Sequence, residues 1–108
     1  MFKFKKRDLR PLQIINNYGP KHQQEILKGE YEELQEAIDN VGVRKGCELT
    51  EWQKEMIIDE VADNLVMLLQ FIQYYELPKK MIEERVDYKL NRQLYERIPK
   101  ENGNKNSK

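Results

Sequence analysis

The chain has 108 residues, of which 39% are hydrophobic and 35% are charged. Because 19 Lys and Arg balance 19 Asp and Glu, net charge gives no general attraction to nucleic acid or to an anionic membrane. The single cysteine, Cys47, cannot form an intrachain disulfide, and no run of about 18 apolar residues predicts a membrane span. We therefore expect one cytoplasmic domain that has neither a nucleic-acid nor a membrane partner.

The predicted elements begin with a short helix over residues 11–17, which starts at a proline and ends before Gly19. A longer helix is predicted over residues 21–41, because apolar residues recur there at helical spacing and Gly42 follows. Residues 42–49 are predicted to form a loop. The apolar positions of the longer helix are Ile26, Leu27, Leu34, Ala37, Ile38 and Val41.

A second long helix is predicted to start after Thr50 and to run to about residue 75. The sequence Thr-Glu-Trp-Gln has the form of a capping box, in which the Thr50 hydroxyl accepts the Gln53 amide and the Gln53 side chain reaches back. Pro78 opens a third long helix, which is predicted to reach about residue 98. Its apolar stripe has a spacing of four residues: Ile82, Val86, Leu90 and Leu94.

These elements predict an all-α fold, a helical bundle formed by residues 1–98. The second long helix is apolar around nearly its whole circumference, and the other helices are too few to cover it. We therefore predict that oligomerisation, as a homodimer or homotetramer, completes the bundle. Residues 99–108 are polar and of low complexity, and we predict that they form a disordered tail.

Four acidic residues project towards the predicted interior. At about 100° per residue, Glu30 falls inside the apolar sector of its helix and Glu33 falls at its edge. Glu60 and Asp63 are one turn apart and share a face with Met67. An isolated carboxylate in an apolar interior must be protonated, paired with a cation or bound to a metal. Two structural explanations remain open: ion pairs with basic residues of the third long helix, or a wet crevice between subunits.

Taken together, the two acid pairs favour a metal site. Glu-x-x-Glu on one helix and Glu-x-x-Asp on the next supply four oxygen donors that can converge between antiparallel helices. Oxygen-only ligation selects Mg²⁺, with Mn²⁺ as the alternative, over zinc or copper. Di-iron bundles need Glu-x-x-His on two helices, and the only histidine, His22, lies outside that spacing.

With these motifs the chain resembles the MazG-like all-α nucleoside triphosphate pyrophosphatases. The resemblance is carried by GEYEEL, by DEVADN, by a Gly and a Gln in YGPKHQQ upstream, and by a Lys and an Arg in YKLNRQLYERI downstream. It covers about residues 18–98. Many relatives have Lys-x-x-x-Asn, whereas here Gln93 stands four residues after Lys89 and the asparagine is Asn91.

The resemblance implies hydrolysis of a nucleoside triphosphate to the monophosphate and pyrophosphate. It implies that Glu30, Glu33, Glu60 and Asp63 hold the metal and that Lys89 and Arg92 contact the phosphates. Carboxylates can approach a triphosphate only through divalent cations, which is consistent with that reaction. Glu33 is our candidate for the base that activates the attacking water.

Two other interpretations remain. In the first, the chain is a non-catalytic helical oligomeric module whose acids bind a metal or a basic partner. In the second, the chain is a small nucleic-acid-binding protein that uses the basic sequence MFKFKKR and the basic residues of the third long helix; the zero net charge and the acidic residues that would face the duplex oppose this interpretation. The aromatic residues Trp52, Phe71, Tyr74 and Tyr75 could stack on a nucleobase, although aromatic residues at helical spacing are more often part of a core. We expect these four side chains to belong to the core.

Overall fold

The computed structural model describes residues 8–106, which are mostly helical and contain no β-strand. These residues divide into two compact units, Asp8–Glu76 and the part that begins at Leu77. The single domain over residues 1–98 stays a prediction. No helix between residues 8 and 106 combines the length and the apolar character needed to cross a membrane.

The first unit contains three helices. They are α1 (Arg10–Tyr18), α2 (Pro20–Val41) and α3 (Glu51–Tyr74), with a 3₁₀ turn at Gly46–Glu48 between α2 and α3. These bounds confirm the all-α class and agree within one or two residues with the helices predicted from periodicity. Gly19, at a φ of 90°, separates α1 from α2, which explains why glycine is favoured there.

The start of α3 is fixed by the predicted capping box. The Gln53 N–H donates to the Thr50 hydroxyl at 3.1 Å, and the Thr50 N–H donates to Gln53 Oε1 at 3.0 Å. These two bonds satisfy amide groups that have no partner inside the helix. The position of α3 along the chain, and therefore the direction of its acidic residues, is set locally by this cap.

Three glutamines, two buried and one half-buried, join the three helices. Gln23 Nε2 on α2 donates to Gln70 Oε1 on α3 at 2.8 Å, and both residues are buried. Gln73 accepts the Leu12 N–H of α1 at 2.9 Å and donates to the Asp8 carbonyl at 2.6 Å. Since Gln23 near the start of α2 meets Gln70 near the end of α3, these helices run antiparallel.

The hydrophobic core of this unit is thin. Among the described residues, the buried hydrophobic side chains of the helices are Pro11, Ile15, Ala37, Val41 and Met67. The expectation that the four aromatic residues belong to the core is wrong for Trp52, Tyr74 and Tyr75, which are 73%, 37% and 60% exposed, whereas Phe71 is half-buried. The three exposed residues lie at the ends of α3, Trp52 in its first turn and Tyr74 and Tyr75 at its C-terminus.

The second unit is a continuous run of helical backbone. It comprises α4 (Lys79–Arg92), a π-helical turn at Gln93–Arg97 and α5 (Ile98–Asn106). Whereas the sequence predicts a disordered tail after Pro99, the structure is helical through Asn106. The π-helical turn ends two residues before Pro99, whose ring crowds the carbonyl four residues earlier and which has no N–H to donate.

Candidate metal centre

Two turns of α2 and two turns of α3 bring four carboxylates together. Glu30 and Glu33 lie one turn apart on α2, and Glu60 and Asp63 lie one turn apart on α3. One carboxylate oxygen from each residue lies within 4.8 Å of those of the other three. We call this group the acidic cluster. The structure thus joins the four acids that the sequence singled out, while their role as metal ligands stays a prediction.

Each helix contributes one half-buried and one exposed acid. Glu30 and Glu60 are half-buried, whereas Glu33 and Asp63 are exposed. The cluster is therefore open to solvent on one side, and a small ligand can reach it from there. In the unit Asp8–Glu76, none of the four acids forms a salt bridge with a lysine or arginine.

The two half-buried acids each carry an oxygen that lacks a hydrogen-bond partner within the described residues. These atoms are Glu30 Oε2 and Glu60 Oε2, and both are buried. A buried carboxylate oxygen without a donor is costly, because the protein does not replace the water that it has lost. Such oxygens can coordinate a divalent cation in place of accepting hydrogen bonds.

The two half-buried acids also have raised pKa values. Burial raises the pKa of Glu30, and the charges of Asp63 and Glu33 raise it further. Burial likewise raises the pKa of Glu60, followed by the charges of Glu33 and Asp63. Desolvation disfavours the carboxylate form, and like charges nearby disfavour it again. The metal-free cluster is therefore a site of concentrated negative charge.

Asn64 holds the two acid-bearing turns against each other. Its side-chain amide donates to the Glu30 carbonyl on α2 at 3.0 Å and to the Glu60 carbonyl on α3 at 2.8 Å. These two bonds give Asn64 a role in helix packing.

The donor set fits a hard divalent cation. Mg²⁺ binds oxygen ligands at about 2.0–2.1 Å, so ligands on opposite sides of one ion are roughly 4 Å apart. The spread of 4.8 Å among the four oxygens is close to that separation. The cluster contains carboxylate oxygens alone, without the thiolate or imidazole ligands that soft or borderline metals prefer. The acidic cluster can thus hold a metal ion.

The basic residues predicted to act with the cluster belong to the second unit. Lys89 and Arg92 are exposed in the last turn of α4. Since the structure describes that unit separately, their contact with phosphates stays a prediction. Gln93, at the position where the MazG-like pattern has asparagine, begins the π-helical turn.

Comparison of the chain with models of protein families, with curated proteins and with solved structures finds no match. The resemblance to the MazG-like pyrophosphatases therefore depends on the motifs in the sequence.

Proposed function

We propose that the chain is a Mg²⁺-dependent nucleotide pyrophosphohydrolase, which converts a nucleoside or deoxynucleoside triphosphate to the monophosphate and pyrophosphate. The observation that carries the proposal is the convergence of the Glu30, Glu33, Glu60 and Asp63 carboxylates within 4.8 Å. Mn²⁺ is the alternative metal. The MazG-like motifs, which are formed by the same four residues, support the same proposal.

The acidic cluster would hold the metal through its four carboxylates. When bound, the metal neutralises phosphate oxygens, orients them and lowers the pKa of a water molecule. Without a cation the cluster would repel a triphosphate, so the buried oxygens of Glu30 and Glu60 are suited to metal rather than to substrate. Glu33 and Asp63 are exposed and would face the phosphates through the metal.

In the proposed reaction, water attacks the α-phosphorus in line with the leaving group. The new bond joins the water oxygen to that phosphorus, and the bond from the α-phosphorus to the bridging oxygen breaks. A carboxylate oxygen of Glu33 accepts the proton from the water, and the electron pair of the broken bond leaves with pyrophosphate. Lys89 and Arg92 would bind the phosphates through charge-assisted hydrogen bonds.

We propose that Trp52 contacts the nucleobase. It lies on nearly the same side of α3 as Asp63, eleven residues away, or about 16 Å along the axis. Its side chain is 73% exposed, which leaves its ring face available for stacking.

We propose further that the chain acts as a homodimer or homotetramer, which would cover the exposed aliphatic side chains of α3.

A panel of nucleoside and deoxynucleoside triphosphates tests this function. The full chain is incubated with each nucleotide and Mg²⁺, and the products are separated by anion exchange. The proposal predicts a monophosphate and pyrophosphate in equal amounts from at least one nucleotide, and no turnover when EDTA is present. Release of a diphosphate and phosphate would overturn it. Metal binding without turnover of any nucleotide would favour the non-catalytic helical module.

A further inference from the structure

Gly29 lies near the middle of α2, directly before Glu30. Glycine is the least favourable residue in a helix interior after proline, because its backbone loses the most conformational freedom there. Replacing a glycine at such a position by alanine favours the folded chain roughly four- to fivefold. The presence of glycine inside α2 therefore needs an explanation.

The backbone conformation does not supply this explanation. Within residues 8–106, the glycines in the left-handed region are Gly19 and Gly42, and both stand at the C-terminal end of a helix. Gly29 lies inside a continuous α-helix, whose dihedral angles alanine adopts without strain. A side chain at position 29 would therefore strain no part of the backbone.

Packing within the unit does not supply the explanation either. Apart from its two chain neighbours and the backbone of its own helix, a Cβ atom added to Gly29 would have no described atom within 4 Å. Neither α3 nor the Glu33 side chain, one turn later on α2, comes closer than this. The space beside Gly29 is therefore open.

This open space adjoins the acidic cluster. At 100° per residue, Gly29 projects about 40° from Glu33, which is exposed. It projects about 120° from Gln23 and Val41, two buried residues of α2. Side chains four residues apart on a helix are neighbours. A side chain at position 29 would therefore lie against Glu33, to the side of the face that packs in the unit.

The surroundings of the open space favour water as its occupant. Three of the four positions one turn away from Gly29 are acidic, and the four are Glu25, Ile26, Glu32 and Glu33. This surface suits no apolar partner, and it would repel a phosphate group. A second cation would need converging ligands, and within the described residues Glu25 and Glu32 do not join Glu33 in such a group.

We propose that Gly29 keeps the position beside Glu33 free for the water molecule that attacks the substrate. The inference rests on the proposed function, in which Glu33 accepts a proton from this water. The water oxygen bonds to the α-phosphorus at the same time, and pyrophosphate leaves with the electron pair of the broken bond. Gly29 offers no side-chain group to the reaction, so it is a positioning residue that acts through Glu33.

Replacement by alanine distinguishes this role from a structural one. Gly29→Ala should raise the melting temperature by roughly 4 °C, because alanine favours the helix and its methyl group has room. The value of kcat should nevertheless fall roughly threefold or more, because the methyl group takes part of the space beside Glu33. KM for the nucleotide and Kd for Mn²⁺ should stay within about twofold, since position 29 supplies no ligand.

Replacement by valine extends the series with a larger side chain. Gly29→Val should lower kcat roughly a hundredfold, which is the scale on which a general base contributes to a reaction. Its melting temperature should not fall below that of the unmodified chain, because valine also favours a helix more than glycine does. Circular dichroism checks that the helices are retained.

Gly103 provides the matched control. It also lies inside a helix, α5, and a Cβ atom added there would likewise meet open space. Gly103→Ala should therefore leave kcat, KM and the affinity for Mn²⁺ unchanged. A fall in kcat in this variant similar to that of Gly29→Ala would show that the effect does not depend on Glu33, and would overturn the inference.

Pyrophosphate release at saturating Mg²⁺ and nucleotide is the closing experiment. The inference predicts that kcat falls from the unmodified chain to Gly29→Ala and again to Gly29→Val, without loss of stability. Equal turnover by all three would overturn the inference and leave the proposed function intact. Absence of turnover by the unmodified chain would overturn the proposed function, and the inference with it.

Two further results would assign Gly29 a different role. A lower melting temperature of Gly29→Ala would show that the fold itself requires the glycine. A lower mass of Gly29→Ala in light scattering would show that the glycine serves contact between copies of the chain. Either result would overturn the inference.

Discussion

The side-chain amide of Asn64 on α3 donates to the backbone carbonyl of Glu30 on α2 at 3.0 Å. The same nitrogen donates to the carbonyl of Glu60, one turn earlier on α3, at 2.8 Å. One side chain therefore links the backbones of the two turns that carry the half-buried acids. The separation between Glu30 and Glu60 depends on this link.

Replacement of Asn64 should loosen the acidic cluster. Asn64→Leu removes both hydrogen bonds while keeping a side chain of similar size, so we expect the free energy of unfolding to fall by about 1 kcal/mol. Divalent metal should also bind more weakly, because the two turns are no longer held in register. Urea unfolding and calorimetric titration with Mn²⁺ measure the two effects. Asn40→Leu, at an exposed position of α2, is the control and should change metal affinity little.

Neutral isosteres of the four acids should reduce turnover without unfolding the chain. Glu30→Gln, Glu33→Gln, Glu60→Gln and Asp63→Asn keep the side-chain volume and remove the charge that binds the cation. Under limiting Mg²⁺ we expect kcat/KM to fall roughly tenfold or more for each variant, with the helical circular dichroism retained.

Two acids outside the cluster are the matched controls for this series. Glu32 and Glu36 are exposed on α2 and do not belong to the acidic cluster. Glu32→Gln and Glu36→Gln should keep turnover close to that of the unmodified chain. A cluster variant that behaves like these controls would not be a metal ligand.

The stability of the metal-free protein should depend on the titration of Glu60. Its pKa is raised by burial and by Glu33 and Asp63, so the folded state binds this proton more tightly than the unfolded state. This tighter proton binding adds to the free energy of unfolding at pH values below the ordinary glutamate pKa of about 4.3. The added stability is lost as the pH rises through the raised pKa of Glu60. Glutamine does not titrate and avoids this loss.

Glu60→Gln should therefore stabilise the metal-free chain at neutral pH, and the gain should shrink as the pH falls towards 4. With saturating Mg²⁺ the unmodified chain should be more stable than Glu60→Gln, because it binds a cation that the variant binds only weakly. Thermal unfolding with EDTA and with Mg²⁺ across this pH range measures both effects. An effect of Glu60→Gln that is independent of pH would contradict the assigned origin of the pKa shift.

The sequence predicted those features that depend on local chemistry. The cap at Thr50 and Gln53 requires residues three positions apart, and the structure contains both of its hydrogen bonds. The approach of the four acids was also predictable, because helical periodicity fixes which side of each helix they occupy. Two such helices need only pack against each other in the antiparallel sense to bring the acids together.

Features that depend on distant contacts were not predictable. The bond from Gln23 to Gln70 joins residues that are 47 positions apart, and periodicity gives no signal for a buried pair of amides. Trp52 has the spacing of a core residue, yet it lies in the first turn of α3 and is 73% exposed. The helical backbone after Pro99 also opposed the composition, which favours disorder.

Calorimetric titration of the chain with Mn²⁺ is the most direct test of the central claim, that the acidic cluster is a divalent metal site. The account predicts saturable binding by the unmodified chain and by Glu32→Gln, and loss of that binding in the double variant Glu30→Gln, Asp63→Asn. Equal binding by the unmodified chain and the double variant would contradict it, as would the absence of binding by the unmodified chain.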